Sequence, residues 1–246
     1  MCRHLAYLGP PLPLSALLYD PPHGLVHQSW APKDMRGGGT VNADGFGVGW
    51  YVDGCAEPVR YRRDCPMWTD AALPRLVEAT AAPAFLAAAR SATVGMPVVE
   101  TAAAPFADGR WLFSHNGAVA GWPAAVAGLA ARLPVVDLMT LDAPTDAAFL
   151  FALVRRKLRT GHDAATAIAS VTADVVAVAP GSRLNLLLTD GRQVAATTYG
   201  HSLSVRHGDG AVVVASEPLD DSDSWQPVPD HRLLTATAEK VDVRPL

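Results

Sequence analysis

Hydrophobic and polar positions alternate with a period of two near the start of the chain and again beyond residue 183, and a helical period governs the stretch before that. Arg3 to Leu8 reads as a short strand, and a proline-rich loop is expected from there to about Lys33. The Arg36-Gly37-Gly38-Gly39 stretch reads as flexible and leads into the Asn42-Ala43-Asp44-Gly45 turn. Phe46 to Val52 and Pro58 to Arg62 have strand character on either side of an Asp53-Gly54 break. Ala71 to Ala82 predicts a helix with Pro74 in its first turns. Phe85 to Ala92 fits either period, since alanine favours helix while flanking breakers favour a buried strand. Trp111 to Ser114 is a short apolar run that ends at His115-Asn116-Gly117.

Thr145 is a good helix N-cap, and Asp146 behind it complements the helix dipole. The helix is expected over Ala147 to Arg159, with Gly161 as its stop and an apolar face wide enough to lie on a sheet. A second helix is expected over Ala164 to Ala179. Strands follow at Leu184 to Thr189, Val194 to Thr198, Leu203 to Arg206 and Val212 to Ser216, with a last one at Val241 to Val243. The order is β-rich, helical, then β-rich again, without βαβ alternation and without a linker, so a single domain over 1–246 is expected.

Composition narrows the classes. Of 246 residues, 50% are hydrophobic and 18% charged, with a formal net charge of -4. No basic excess suggests a nucleic-acid surface, and no apolar run has the length of a membrane span. Prolines interrupt the apolar start, which argues against a signal peptide, so a cytoplasmic protein is expected. Three cysteines without a CxxC pair argue against a disulfide framework or a zinc site. His23 and His27 are four apart but lack an accompanying glutamate, so metal binding there is not expected. Gly45-Phe46-Gly47-Val48-Gly49 departs from G-x-G-x-x-G and begins a strand; its glycines mark close backbone approach or a bulge. Gly37 to Gly39 lack the ending of a phosphate loop, and no G-x-S-x-G elbow occurs.

What remains is a set of polar residues at breaks after strands. If Met1 is removed, Cys2 carries a thiol and a free α-amine whose ordinary pKa values, ~8.5 and ~7.7–8.0, suit proton exchange near neutrality. A chance Met-Cys start is the alternative. Asn116 and Gly117 offer a side-chain amide and an unhindered backbone N–H to a developing oxyanion, or else form a plain Asn-Gly turn. Arg90 suits a carboxylate clamp or a structural ion pair. Asp146 suits an ammonium group, although stabilising a helix start also explains it.

Cys2, Asn42-Ala43-Asp44-Gly45-Phe46-Gly47-Val48-Gly49-Trp50, Arg90-Ser91-Ala92-Thr93, His115-Asn116-Gly117 and Thr145-Asp146 occur in the order seen in class II glutamine amidotransferases. The chain resembles that family of N-terminal-nucleophile hydrolases over nearly its whole length. Ser216-Glu217-Pro218 is similar to a stand-alone branch that removes glutamate from a γ-glutamyl sulfoxide. Val94, where many members have histidine, and Ala104-Pro105-Phe106, where they have His-Pro-Phe, suit that branch better than ordinary glutaminase chemistry. The resemblance implies an α+β fold, a four-layer αββα sandwich of two antiparallel sheets. It implies Cys2 as nucleophile, Asn116 and Gly117 as oxyanion donors, Arg90 with Thr93 at the substrate α-carboxylate, and Asp146 at its α-ammonium. It implies a small-molecule γ-glutamyl substrate, no metal or organic cofactor and no required protein partner. Two alternatives stay open: a glutaminase subunit that passes ammonia to a separate synthase, and a non-enzymatic binding module.

Overall fold

The strand expected at Arg3 to Leu8 runs further. In the computed structural model, which describes residues 2–36 and 41–246, β1 spans Arg3–Pro13 and is followed by α1 (Ser15–Leu18) and α2 (Leu25–Trp30). The segment to Lys33 is therefore only partly the loop that its prolines suggest. The β1 register shifts between Leu8 and Leu12, so Pro10 and Pro11 fall where the ladder is interrupted and no N–H is needed. Leu14, Leu17, Leu18 and Leu25 are buried, and their burial holds the two short helices against the sheet. The expectations for Met1 and for the Gly37 to Gly39 run lie outside the described residues.

β2 (Phe46–Trp50) and β3 (Val59–Arg63) lie where strands are expected. α3 covers only Leu73–Ala79. Asp70 sets its start by accepting from the Ala72 and Leu73 N–H groups at 2.8 and 2.9 Å, and by Ala81 the chain has entered β4 (Ala81–Ala89). The ambiguous alanine-rich segment is thus a strand. Pairing with β1 on one side and β2 on the other satisfies its backbone and outweighs alanine's helix preference.

β5 (Phe106–Asp108) is additional to the strands read from the pattern, and β6 (Trp111–Ala118) continues through Asn116 and Gly117. Two short helices, α4 (Ala127–Ala130) and α5 (Val135–Met139), precede α6 (Asp146–Arg159) and α7 (Ala164–Val178). The Thr145 hydroxyl caps α6 by accepting from Ala148 N–H at 3.2 Å, and Asp163 caps α7 from Thr166 N–H at 2.8 Å. Then come β7 (Arg183–Thr189), β8 (Val194–Thr198), β9 (Ser204–Gly208) and β10 (Ala211–Ala215). The short β11 (Gln226–Pro227), β12 (Arg232–Ala236) and β13 (Val241–Pro245) finish the chain; β11 and β12 are also additional.

Among the described residues the strands form a seven-stranded sheet, β11-β9-β10-β1-β4-β2-β3, and a six-stranded sheet, β13-β12-β8-β7-β6-β5. The pairings between strands are antiparallel, and period-two alternation sorts side chains into layers. In β1 and β4, Leu5, Tyr7, Phe85 and Ala87 pack under α1, α2 and α3, whereas Ala6, Leu8, Ala84 and Leu86 face the second sheet. In β7, Leu184, Leu186 and Leu188 face α6 and α7. This is the α+β, four-layer αββα sandwich of two antiparallel sheets that the resemblance implies. The alternating glycines of β2 mark close approach of the sheets: a Cβ at Gly47 would strike the Ala104 carbonyl, and one at Gly49 would lie 2.8 Å from Leu112. Among the described residues no helix is long and apolar enough to cross a membrane.

Candidate active site

The residues singled out from the sequence come from four separate elements. Cys2 immediately precedes β1, Arg90 follows β4, Asn116 and Gly117 lie in β6, and Asp146 opens α6. Pairing of Arg3 with Ala89 sets the first two side by side. Packing of one sheet on the other brings β6 across from them. Cys2, Arg90, Thr93, Gly117 and Asp146 line one pocket, whose apolar wall includes Ala104 and Phe106.

Asn116 joins the group through its side chain. Cys2 N–H donates to Asn116 Oδ1 at 3.1 Å. Asn116 is fully buried, and its Nδ2 has no hydrogen-bond partner among the described residues. The Asn-Gly turn left open by the sequence is not formed: Asn116 pairs with Asn185 and Gly117 with Leu184 inside the β6–β7 ladder. Glycine is required at 117 because a Cβ there would overlap the Arg183 carbonyl. The Cys2 thiol lies 3.8 Å from the Ser91 carbonyl oxygen, to which it donates.

Arg90 is buried, and among the described residues it makes no ion pair. Its Nη1 donates to the Asp44 carbonyl at 3.3 Å, and Nη2 is buried without a partner. A buried guanidinium edge with an unused donor, lining a pocket, has the chemistry to accept an anion. Asp44 does the positioning. Its carboxylate accepts from Ala92 N–H at 2.8 Å, and its backbone N–H donates to the Arg90 carbonyl at 2.9 Å. The sequence placed Asp44 in a motif without giving it this role.

Asp146 serves two purposes. Its Oδ1 accepts from Ala147 N–H at 2.8 Å and its Oδ2 from Val119 N–H at 3.0 Å, so it fastens the start of α6 while still lining the pocket. Thr93 is exposed at the rim, in a turn closed by Met96 N–H donating to the Thr93 carbonyl at 2.9 Å. Val94, at the tip of that turn, is fully solvent-exposed.

Sequence reading missed a buried polar layer beneath the pocket. His4 Nδ1 and Ser114 Oγ share a hydrogen bond of 3.2 Å, and Ser114 lines the pocket. Burial, with His115 and Arg3 nearby, pushes the His4 imidazole down to about 3. Burial and then the Arg183 charge push His201 down to about 4, and Arg183 Nε donates to its Nε2 at 3.2 Å. Both rings are neutral near neutrality and neither exchanges protons there. On the other side of β1, the Arg3 guanidinium donates to the Asp34 carbonyl and lies 3.8 Å from Glu217. Glu217 in turn accepts from Lys33 N–H at 3.0 Å and Asp34 N–H at 2.8 Å. The period of β1, which turns alternate residues inward, is the signal that could have found His4.

Residues 19–208 match the family described as glutamine amidotransferases class-II. A protein of Mycolicibacterium smegmatis named gamma-glutamyl-hercynylcysteine sulfoxide hydrolase is 41% identical over 247 residues, covering 100% of both chains. A solved glutamine aminotransferase class-II domain protein from Silicibacter pomeroyi superposes with a TM-score of 0.69 at 27% identity, over 99% of each chain. The glutamine phosphoribosylpyrophosphate amidotransferase of Bacillus subtilis shares the fold, with a TM-score of 0.68 at 15% identity, over 99% of this chain and 49% of that one. The chain belongs to the class II glutamine amidotransferases.

Proposed function

We propose that this chain is a cysteine-nucleophile amidohydrolase that cleaves γ-glutamyl-hercynylcysteine sulfoxide to glutamate and hercynylcysteine sulfoxide, a step of ergothioneine biosynthesis. The observation that carries this reading is the 41% identity, over the full length of both chains, to a hydrolase of that name. The reading takes residues 1–246 as a single cytoplasmic domain from which Met1 is removed, acting on a small molecule without a required protein partner.

In the proposed mechanism the α-amine of Cys2 takes the thiol proton, and the thiolate attacks the γ-carbonyl. Asn116 Oδ1 orients that amine, and its partnerless Nδ2 together with Gly117 N–H stabilises the oxyanion. Arg90 and Thr93 hold the glutamyl α-carboxylate and Asp146 its α-ammonium, which fixes the γ-carbonyl over Cys2. The tetrahedral intermediate expels the leaving amine, which takes the proton from the Cys2 ammonium. Water, giving a proton to the same amine, then attacks the γ-glutamyl thioester; glutamate leaves and the thiol is restored. The neutral, buried His4 and His201 take no part in proton transfer, and no metal or organic cofactor enters these steps.

Incubation of the purified protein with the γ-glutamyl sulfoxide and, separately, with glutamine tests the reading. Release of glutamate from the sulfoxide, lost in Cys2→Ala, is expected. Rapid turnover of glutamine with none of the sulfoxide would favour an ammonia-supplying subunit instead. Intact mass should show Met1 absent from the active protein, and full activity with Met1 retained would refute the free-amine relay.

A further inference from the structure

A second cavity lies towards the same end of the seven-stranded sheet as Cys2. Arg3 pairs with Ala89, Leu5 with Ala215, and Ala215 with Ser204, so the start of β1, the end of β4, the end of β10 and the start of β9 lie at one end of the seven-stranded sheet. The pocket described above occupies the β4 side of that end. On the β10 and β9 side is a cleft of about 880 Å³, within the ~300–1,000 Å³ common for small-molecule sites. Asp34, Ser202, Glu217, Asp220, Asp223 and Trp225 are among its lining residues. Arg3, next in sequence to Cys2, ties two walls of the cleft together through the Asp34 carbonyl and Glu217.

We infer that this cleft receives the leaving half of the substrate and selects for its positive charge. The inference rests on the hydrolase reading, which places the glutamyl α-charges at Arg90 and Asp146. With that end fixed and the γ-carbonyl at Cys2, the inference directs the leaving group away from β4, towards the β10 and β9 side where the cleft lies. Its charge suits a cation. Lys33 is paired with Asp221 at 2.8 Å, Arg36 with Asp34 at 3.1 Å, and Asp220 with Arg206 at 2.8 Å. Asp223 makes no ion pair among the described residues. Ser202 is buried, lines the cleft, and its Oγ has no hydrogen-bond partner, so a polar ligand atom can complete it. Arg206 already covers one face of the Trp225 ring at 4.8 Å. Met35, Leu203 and Pro218 provide apolar surface for the methyl groups of a trimethylammonium ion.

Calorimetric titration of the Cys2→Ala protein with hercynylcysteine sulfoxide tests the cleft directly. Adding Asp223→Lys should weaken binding about tenfold or more, Asp223→Asn less, and Ser202→Ala a few-fold. In the otherwise native enzyme, Asp223→Asn should raise KM for the γ-glutamyl sulfoxide with kcat largely kept, lowering its kcat/KM relative to a neutral γ-glutamyl anilide. Failure of hercynylcysteine sulfoxide to bind, or equal affinity with and without Asp223→Lys, overturns the inference. If the native enzyme still turns over the γ-glutamyl sulfoxide in that case, the hydrolase reading survives. Charge-dependent binding of the product without turnover of the sulfoxide would instead sink the hydrolase reading and leave the cleft.

Discussion

The backbone nitrogen of Cys2 donates to the side-chain oxygen of Asn116 across 3.1 Å, linking the start of the chain to β6 of the opposite sheet. That bond fixes which way the Asn116 amide points. Its oxygen is turned to Cys2, so its nitrogen is the group left without a partner. One side chain thereby orients the proposed base and presents a donor to the proposed oxyanion.

Replacing that donor should therefore cost turnover more than binding. Asn116→Asp keeps an acceptor for Cys2 but puts an oxygen where the Nδ2 donor stands. Removing one oxyanion donor lowers kcat by about 10²–10³, and KM should change little. Steady-state kinetics on the γ-glutamyl sulfoxide, with melting temperature checked alongside, decides this. A loss confined to KM would reassign Asn116 to ground-state binding.

Arg90 should behave in the opposite way. Its buried Nη2 has no partner, and charge-assisted hydrogen bonds are worth about 1.5–3 kcal/mol. Arg90→Gln in the Cys2→Ala background should weaken glutamate binding about ten- to hundredfold by calorimetry. Unchanged affinity would show that the α-carboxylate sits elsewhere.

The sequence made much of this legible because the chemistry lies at strand and helix ends, where turn residues announce themselves. The cap at Thr145 and the period-two strands after Arg183 have local causes. The Ala81–Ala89 strand does not: alanine has little preference for it, and two neighbouring strands impose it. Asn116-Gly117 was ambiguous for the same reason, since only pairing with β7 distinguishes a strand from a turn. Arg3, Asp44 and Glu217 act through partners far away in sequence, and neither period nor composition encodes such contacts.

Glu217 makes a stability prediction. Burial pushes the Arg3 guanidinium below its ordinary range, and Glu217 and Asp34 oppose that push. Glu217→Ala leaves Arg3 buried and strips the Lys33 and Asp34 N–H groups of their acceptor. Breaking one side of a buried pair costs about 3–5 kcal/mol, which in a chain of this size lowers Tm on the order of 10 °C. Glu217→Gln, which keeps an acceptor, should lose less. A thermal melt of Glu217→Ala that matches the native protein would contradict the pairing.

His4 and His201 set how the fold responds to acid. Burial, first among the causes at each, holds them near about 3 and about 4, against an unfolded value of ~6.5. Below pH ~6.5 the unfolded chain binds protons that the folded protein refuses. Their contribution is therefore complete above pH ~6.5 and is lost as pH falls towards about 4, by up to ~1.4 kcal/mol per pH unit for each histidine. Between pH 6.5 and 5 few carboxylates change state, so urea midpoints in that window isolate the effect. His201→Gln keeps an acceptor for Arg183 Nε but cannot be protonated, and the midpoint should then fall with acid at a visibly smaller slope. Equal midpoints at pH 7 and pH 5 in the native protein would mean that these rings are charged, or exposed to water, in the folded state.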